Sequence, residues 1–315
     1  MNLLRRPILA LSALPGVRRA LSGMPVTRRV VERFVAGERT TDAVAAVSAL
    51  RERGLLATVD FLGEYTQEEA VARATAEEYL TLLGALEEAG VAQGTEVSVK
   101  LSALGLFLGG TDRSYGMQRV TEHVRGIAKK AESLGARMTI DMEDHTTVDS
   151  TLTVLHALRE EFPDTGVAIQ SMLLRTPGDL GRLADTGSRV RLVKGAYDEP
   201  PTVAHRTRPA ITAAYLRDLR LLMHGRGYPM VASHDPEVIT AALALAEETR
   251  RAPGSFEFQF LSGIRTDEQG RLRDLGHTVR VYVPYGTDWY GYFTRRLAEK
   301  PDNLRFFLRA LVQRA

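Results

Sequence analysis

The feature that most constrains this chain is a regular alternation of short β-rich runs with longer amphipathic segments. The short runs cover 57–63, 96–100, 138–142, 167–170, 190–194, 230–233, 256–260 and 279–283. Val, Ile, Phe and Thr are concentrated in them, and Gly or polar residues end them, as strands require. Between the runs, the spacing predicts helices over 66–89, 115–134, 148–162, 177–185, 210–226, 236–250 and 268–275. A further helix opens near Asp288, and another covers 303–314. Strands that alternate with helices predict a parallel sheet joined by right-handed crossovers. Eight such units in roughly 260 residues predict an α/β fold of the (β/α)8 TIM type rather than an open doubly wound sheet. The open dinucleotide-binding sheet is the main competitor, but its G-x-G-x-x-G turn after the first strand is missing.

Residues 1–52 read as helices ahead of the barrel, which itself is expected over 53–315. Thr40, Thr41 and Asp42 are expected to cap the helix carrying Val44, Val47 and Leu50. The stretch 1–35 is basic and apolar, but Pro7 and Pro15 interrupt it. It therefore predicts amphipathic helices that pack on the barrel or touch a membrane surface, rather than a signal peptide. A net charge of +2 speaks against a strongly basic nucleic-acid binder, and no nucleic-acid partner is expected. The chain has no Cys, which excludes disulfides, thiolate metal sites and a Cys nucleophile and fits a reducing cytoplasm.

Barrels of this type place their chemistry at the C-terminal ends of the strands. Here those ends carry Asp60 with Glu64 beyond it, Lys100, Asp141 and Met142, and Gln170. They continue with Arg191, Lys194, Gly195, Ala196 and Tyr197, then Ser233 and His234, Gln259 and Leu261, and Tyr282. The remainder of the strands reads as mostly apolar. No metal is expected: the seven His form no H-x-x-x-H or H-E-x-x-H pattern, and Asp141, Glu143 and Asp144 read as a solvated turn. Lys100 and Lys194 keep a Schiff-base aldolase open as the alternative, although an ion pair with a carboxylate such as Asp141 is the plainer role for either. Near the C-terminus, Tyr292, Arg295, Arg296 and Glu299 stand at i, i+3, i+4 and i+7 and would share one helix face. In isolation that is a solvated charged face. Over a cavity, two guanidinium forks can grip one carboxylate while the Tyr ring covers apolar carbons.

Seven pieces carry a resemblance: 97–102 (VSVKLS), 140–143 (IDME), Ile169-Gln170, 191–197 (RLVKGAY), Ser233-His234, 256–259 (FEFQ), and Tyr292-x-x-Arg295-Arg296-x-x-Glu299. Together, in register from about Thr58 to Glu299, they resemble the FAD-dependent proline dehydrogenases, and the chain length is similar to that of the monofunctional bacterial members. The resemblance implies a distorted barrel holding FAD, with hydride transfer from L-proline to flavin N5. It also implies Δ1-pyrroline-5-carboxylate as product and electrons passed to a membrane quinone. By this resemblance Asp141 and Arg191 are the expected catalytic residues. Lys100, Arg295 and Arg296 are expected to hold the substrate carboxylate, Tyr282, Tyr292 and Leu261 to enclose the ring, and Glu64 to pair with Arg295 as a lid. Met142, Gln170, Arg191, Lys194, Gly195, Ala196, Tyr197, Ser233, His234, Gln259 and Glu299 are the expected cofactor contacts. Three details follow. Ser233 stands where many members have Thr. Asp198 stands where the bifunctional members have an aromatic against adenine. Tyr282 resembles the version that favours proline over 4-hydroxyproline. A cytoplasmic location is expected, either free or peripheral at the inner face of the membrane. A non-catalytic membrane-binding protein using the basic N-terminal helices is the remaining reading.

Overall fold

A computed structural model describes residues 33–110, 112–185 and 187–290. Within them eight helices and eight strands alternate strictly. The order is α1 (Thr40–Glu52), β1 (Leu56–Phe61), α2 (Glu69–Glu88), β2 (Glu96–Val99), α3 (Arg113–Ser133), β3 (Arg137–Ile140), α4 (Val148–Arg159), β4 (Gly166–Gln170), α5 (Thr176–Asp185), β5 (Arg189–Val193), α6 (Arg208–His224), β6 (Tyr228–Ala232), α7 (Pro236–Glu248), β7 (Glu257–Leu261), α8 (Thr266–Asp274) and β8 (Thr278–Tyr285). Every strand is parallel to its neighbours, and β1 pairs with both β2 and β8, so the sheet closes into an eight-stranded barrel. The expected TIM-type α/β fold is the fold observed.

The barrel forms because each strand has two faces of opposite character. Val59, Val97, Val99, Ile140, Val167, Ile169, Val190, Leu192, Val231, Phe258, Phe260, Val281 and Val283 are buried in one continuous core with the apolar stripes of the helices. Those stripes include Leu82, Leu83 and Leu86 of α2, Val120, Val124 and Ile127 of α3, and Leu219 and Leu222 of α6. Alternate strand residues face the barrel axis, and there the expectation of mostly apolar strands fails. Thr58, Asp60, Glu96, Ser98, Thr139, Arg189, Arg191, Glu257, Gln259 and Arg280 are all buried polar groups. Gly166 leaves room among them: a Cβ there would stand 2.4 Å from Thr139 Oγ1.

Helix starts follow local chemistry. Asp112 accepts from Ser114 N, Thr207 from Ala210 N, and Asp235 from Glu237 N, with Pro in the first turn of α6 and α7. At α1 the cap is Arg39 rather than the Thr40–Asp42 group: Asp42 sits at N3 and its carboxylate accepts from Arg39 N at 3.0 Å. Helix α4 stops at Arg159, short of the expected 162, because Phe162 precedes Pro163 and the residue before proline is pushed out of the helical region. Helix α1 buries Ala43, Val47 and Leu50 in the same core as the barrel. The C-terminal helix expected near Asp288 begins at Trp289 and Tyr290. Tyr292, Arg295, Arg296 and Glu299 lie outside the described residues, as do the helices expected before residue 33 and over 303–314.

Candidate active site

Four basic side chains, Lys100, Arg189, Arg191 and Arg280, share the barrel interior with four carboxylates, Asp60, Glu96, Asp141 and Glu257. A buried charge is tolerated when it is paired and hydrogen-bonded; each of these has an ion-pair partner, although Arg189 Nε and one Glu96 oxygen have no hydrogen-bond partner. At the closed end of the barrel, Arg280 grips Glu257 with Nε at 2.7 Å and Nη2 at 3.1 Å. Its Nη1 donates to the carbonyls of Ala57 and Gly94. Arg189 lies over the Tyr228 ring and faces Glu96, whose other oxygen accepts from Thr58 and Arg191. Burial alone would raise the Glu96 carboxyl, but Arg191, Arg280 and Arg189 outweigh it and bring it down to about 2.

Arg191 joins this lower layer to the mouth. It comes from the middle of β5 and reaches across the axis. Its Nε donates to Gln259 Oε1 at 2.7 Å, and its Nη1 to Ser98 Oγ and Asp141 Oδ1, each at 2.7 Å. Its Nη2 donates to Glu96. Burial works against the cation, but Glu96 and Asp141 keep it above the ordinary arginine value. Asp141 therefore serves Arg191 with one oxygen and accepts from Tyr282 OH at 2.7 Å with the other. Burial, with Asp141 and Asp60 close by, holds the Tyr282 phenol well above its ordinary value, so it remains a donor. Its ring also stacks over the guanidinium, with Cζ 5.4 Å from the centroid. The lysine ion pair expected for Asp141 does not form; Arg191 and Tyr282 take its oxygens instead.

Lys100, just past β2, pairs with Asp60 at 2.6 Å, not with Asp141. Burial pushes each member of this pair toward neutrality: it raises Asp60 and, acting alone, would lower Lys100. The two tendencies cannot both prevail at that distance, since a neutral Asp60 would withdraw the support that raises Lys100. Asp141 and Glu64 add further negative potential at the amine. The ammonium is therefore the form the site holds, above the ordinary lysine value. A Schiff-base lysine needs the opposite, a depressed pKa.

The exit loops of β3 to β7 form the rest of the mouth. Gln170 Nε2 donates to the Glu143 carbonyl at 2.6 Å and more weakly to that of the buried Met142. Its Oε1 is buried without a hydrogen-bond partner. Gly195 lies beside it with φ +103°, and a Cβ there would meet Met172 Sδ at 2.3 Å and Gln170 Oε1 at 3.0 Å. Only a bare backbone fits. Lys194 Nζ donates to Asp235 at 2.6 Å and Thr212 at 2.8 Å, so one carboxylate both caps α7 and holds the β5 exit. Ser233 Oγ accepts from Asp235 N. His234 Nε2 accepts from Leu261 N at 3.0 Å and so ties the β6 exit to the β7 exit. Tyr197 packs against the core beside Ala196, and Asp198 pairs with Arg206 at 2.8 Å.

These residues fit the flavin that the sequence resemblance implies. An orphaned buried acceptor at Gln170, a bare backbone at Gly195, a fixed cation at Arg191 and an ammonium at Lys194 match an edge N–H, a close-lying chain, an electron-rich ring and a phosphate. Among the described residues no group of three or more His, Asp or Glu is placed to hold a metal ion.

The sequence-expected site residues that are described converge on this mouth: Glu64, Lys100, Asp141, Met142, Gln170, Arg191, Lys194, Gly195, Ala196, Tyr197, Ser233, His234, Gln259, Leu261 and Tyr282 all stand on strands or exit loops of one barrel end. Sequence reasoning missed the supporting polar groups Glu96, Ser98, Arg189, Glu257 and Arg280, and it missed Asp60 as the partner of Lys100. The signal was present in Glu96-Val97-Ser98-Val99-Lys100 and Glu257-Phe258-Gln259, where polar residues fall at every second position of a strand.

Comparison with known proteins bears on this site. The family model for proline dehydrogenase matches residues 43–309. The proline dehydrogenase of Deinococcus radiodurans is 38% identical over 286 residues, covering 90% of this chain and 90% of the relative. Proline dehydrogenase 1 of Bacillus subtilis strain 168 is 36% identical over 288 residues, covering 91% of this chain and 92% of the relative. Among solved structures, proline utilization A from Bdellovibrio bacteriovorus aligns with a TM-score of 0.79 at 24% identity, covering 86% of this chain and 32% of that longer one. By the family match and by relatives of nearly the same length, this chain belongs to the proline dehydrogenase family.

Proposed function

We propose that this chain oxidises L-proline to Δ1-pyrroline-5-carboxylate with FAD as cofactor and a quinone as electron acceptor, the first step of proline catabolism. The observation that carries the reading is the Arg191–Asp141–Tyr282 chain at the barrel mouth, next to an ammonium and an orphaned amide oxygen, in a member of this family. The reaction removes a hydride from the ring carbon beside nitrogen and releases a proton from the nitrogen to solvent, leaving a C=N bond. A bound flavin supplies the hydride acceptor at N5.

The protein binds, orients and excludes water. Lys100, with Arg295 and Arg296, supplies positive charge for the carboxylate. Tyr282, Leu261 and Tyr292 enclose the apolar ring, and a phenol at Tyr282 leaves little room for a ring hydroxyl, so proline is favoured over 4-hydroxyproline. Arg191 holds a fixed positive charge where a reduced ring would carry electron density. Asp141 has both oxygens engaged, so its part is to aim Tyr282 and Arg191 rather than to take the proton. Gln170, Met142, Lys194, Gly195, Ala196, Tyr197, Ser233, His234, Gln259 and Glu299 hold the cofactor. Glu64 closes over the substrate with Arg295. The division of the chain into 1–52 and 53–315 is part of this reading; among the described residues, α1 buries Ala43, Val47 and Leu50 in the core of the barrel. The reading puts the protein in the cytoplasm with peripheral contact to the membrane, by its quinone acceptor and the basic stretch 1–35. No helix among the described residues is long and apolar enough to cross a bilayer.

The test is the visible spectrum of the purified protein. The reading expects a flavin band that bleaches when proline is added without oxygen. A colourless protein that takes up no FAD, or a flavin band indifferent to proline, defeats it. Borohydride trapping of a substrate carbonyl on Lys100 or Lys194 would instead support the aldolase.

A further inference from the structure

Ser102 lies at the centre of three exit loops. We propose that Ser102, held by Glu143, is a positioning residue that fixes the β1–α2 loop, and with it Glu64, over the barrel mouth. The inference deepens the proline-oxidising reading and depends on that reading for the identity of the substrate.

Ser102 is fully buried in the turn after β2, two residues beyond Lys100. Glu143, at the β3 exit, commits its whole carboxyl to it: Oε1 accepts from Ser102 N at 2.9 Å, and Oε2 accepts from Ser102 Oγ. A serine hydroxyl is ordinarily free to rotate. Here its proton is directed toward Glu143, so its lone pairs are directed toward the β1–α2 loop. There Oγ accepts from Tyr65 N at 3.0 Å, and the Ser102 carbonyl accepts from Thr66 N at 3.0 Å.

Tyr65 needs that support. Its φ is +56°, a left-handed conformation that a bulky residue adopts only when its surroundings over-determine it. Its OH donates to Asp144 at 3.1 Å and its ring stacks on Phe107, yet the residue is still 42% exposed. The loop base is held separately, by Leu62 N donating to the Tyr285 carbonyl. Between these two anchors stands Glu64, whose charge is felt by both Lys100 and Glu143. The turn that follows Lys100 and presents its ammonium to the mouth thus also sets the β1–α2 loop.

The experiment compares the FAD-loaded protein with Ser102→Ala and Glu143→Gln on the alkaline side of pH 7, where Glu143 is the carboxylate that accepts both Ser102 bonds. Amide hydrogen exchange across 62–68 is read alongside steady-state proline kinetics. Ser102→Ala should speed exchange of the Tyr65 amide about tenfold, with little change at Thr66, whose acceptor is a main-chain carbonyl. KM for proline should rise about tenfold while kcat and flavin content stay within about twofold, the pattern of lost substrate binding. Glu143→Gln should give the same pattern at roughly a third of the size, and it carries the test if Ser102→Ala does not fold. Unchanged Tyr65 exchange in the folded variants overturns the inference. Faster exchange with an unchanged KM overturns it too, because the anchor would then be packing alone. A wild-type protein indifferent to proline defeats the substrate reading and not the anchor, which the exchange arm decides by itself.

Discussion

Arg191 bridges four acceptors from three directions, so its removal exposes more than one uncompensated charge. Glu96 and Asp141 would both lose their principal cation in an interior where water cannot replace it. Arg191→Met should therefore lower unfolding free energy by about 3–5 kcal/mol, in the range found when one partner of a buried pair is removed. Arg191→Lys should recover little, because a point ammonium cannot span Gln259, Ser98, Asp141 and Glu96 at once. Adding Glu96→Gln to Arg191→Met should restore part of the loss, since it removes the charge left behind. Urea denaturation of the two single variants and the double variant measures the coupling. Additive losses would mean that Glu96 is held by Arg189 and Arg280 without help from Arg191.

Among the elements, α6 has an unusual closure. Arg251, in the connection between α7 and β7, turns back and donates to the carbonyls of Leu222, Met223, Gly225, Gly227 and Ser255, at 2.6 to 3.3 Å. The carbonyls at the end of a helix need donors and favour a cation. Burial lowers the Arg251 pKa with no carboxylate to offset it, so these carbonyls carry the stabilisation. Arg251→Ala should cost about 2–3 kcal/mol, and Arg251→Lys should recover less than half. A melting-temperature series reads both; an unshifted Arg251→Ala would make the closure ornamental. This clasp was not legible in the sequence, because four of the five acceptors lie more than twenty residues from Arg251 and nothing local marks them. Strands and helices were legible, because a period of two and a period near 3.6 are written into the residues themselves. The partner of Lys100 was not. It depends on the β1–β2 register, which sets Asp60 opposite Ser98 and leaves Lys100 beyond it, within reach of that carboxylate. The alternating polar residues of β2, β5 and β7 lay in plain view. They point inward only once the sheet closes, and closure is a property of all eight strands.

At the scale of the whole molecule, buried carboxyls titrating in opposite senses shape stability against pH. Glu96 is brought from its ordinary 4.5 down to about 2. The folded state therefore binds its proton less readily than the unfolded chain, and the stability this contributes is present above about pH 4.5 and lost as pH falls toward 2. Glu143 goes the other way. Burial, only partly offset by its two Ser102 bonds and Lys100, raises it from 4.5 to about 7. Its contribution is complete below about pH 4.5 and is lost as pH rises through 7, where the folded protein must accept a buried carboxylate. Each amounts to about 3 kcal/mol at its full extent. From these two groups, stability should peak on the acid side of neutrality and decline on both flanks. Glu143→Gln should remove the alkaline decline and leave the acid one. Its unfolding free energy relative to wild type should therefore improve steadily from about pH 5 to about pH 7.5 and then level off. Denaturant midpoints across that range, at matched flavin content, give the curve. A difference between the two proteins that stays flat with pH would mean that Glu143 titrates near its ordinary value and that the barrel mouth is wetter than its packing indicates.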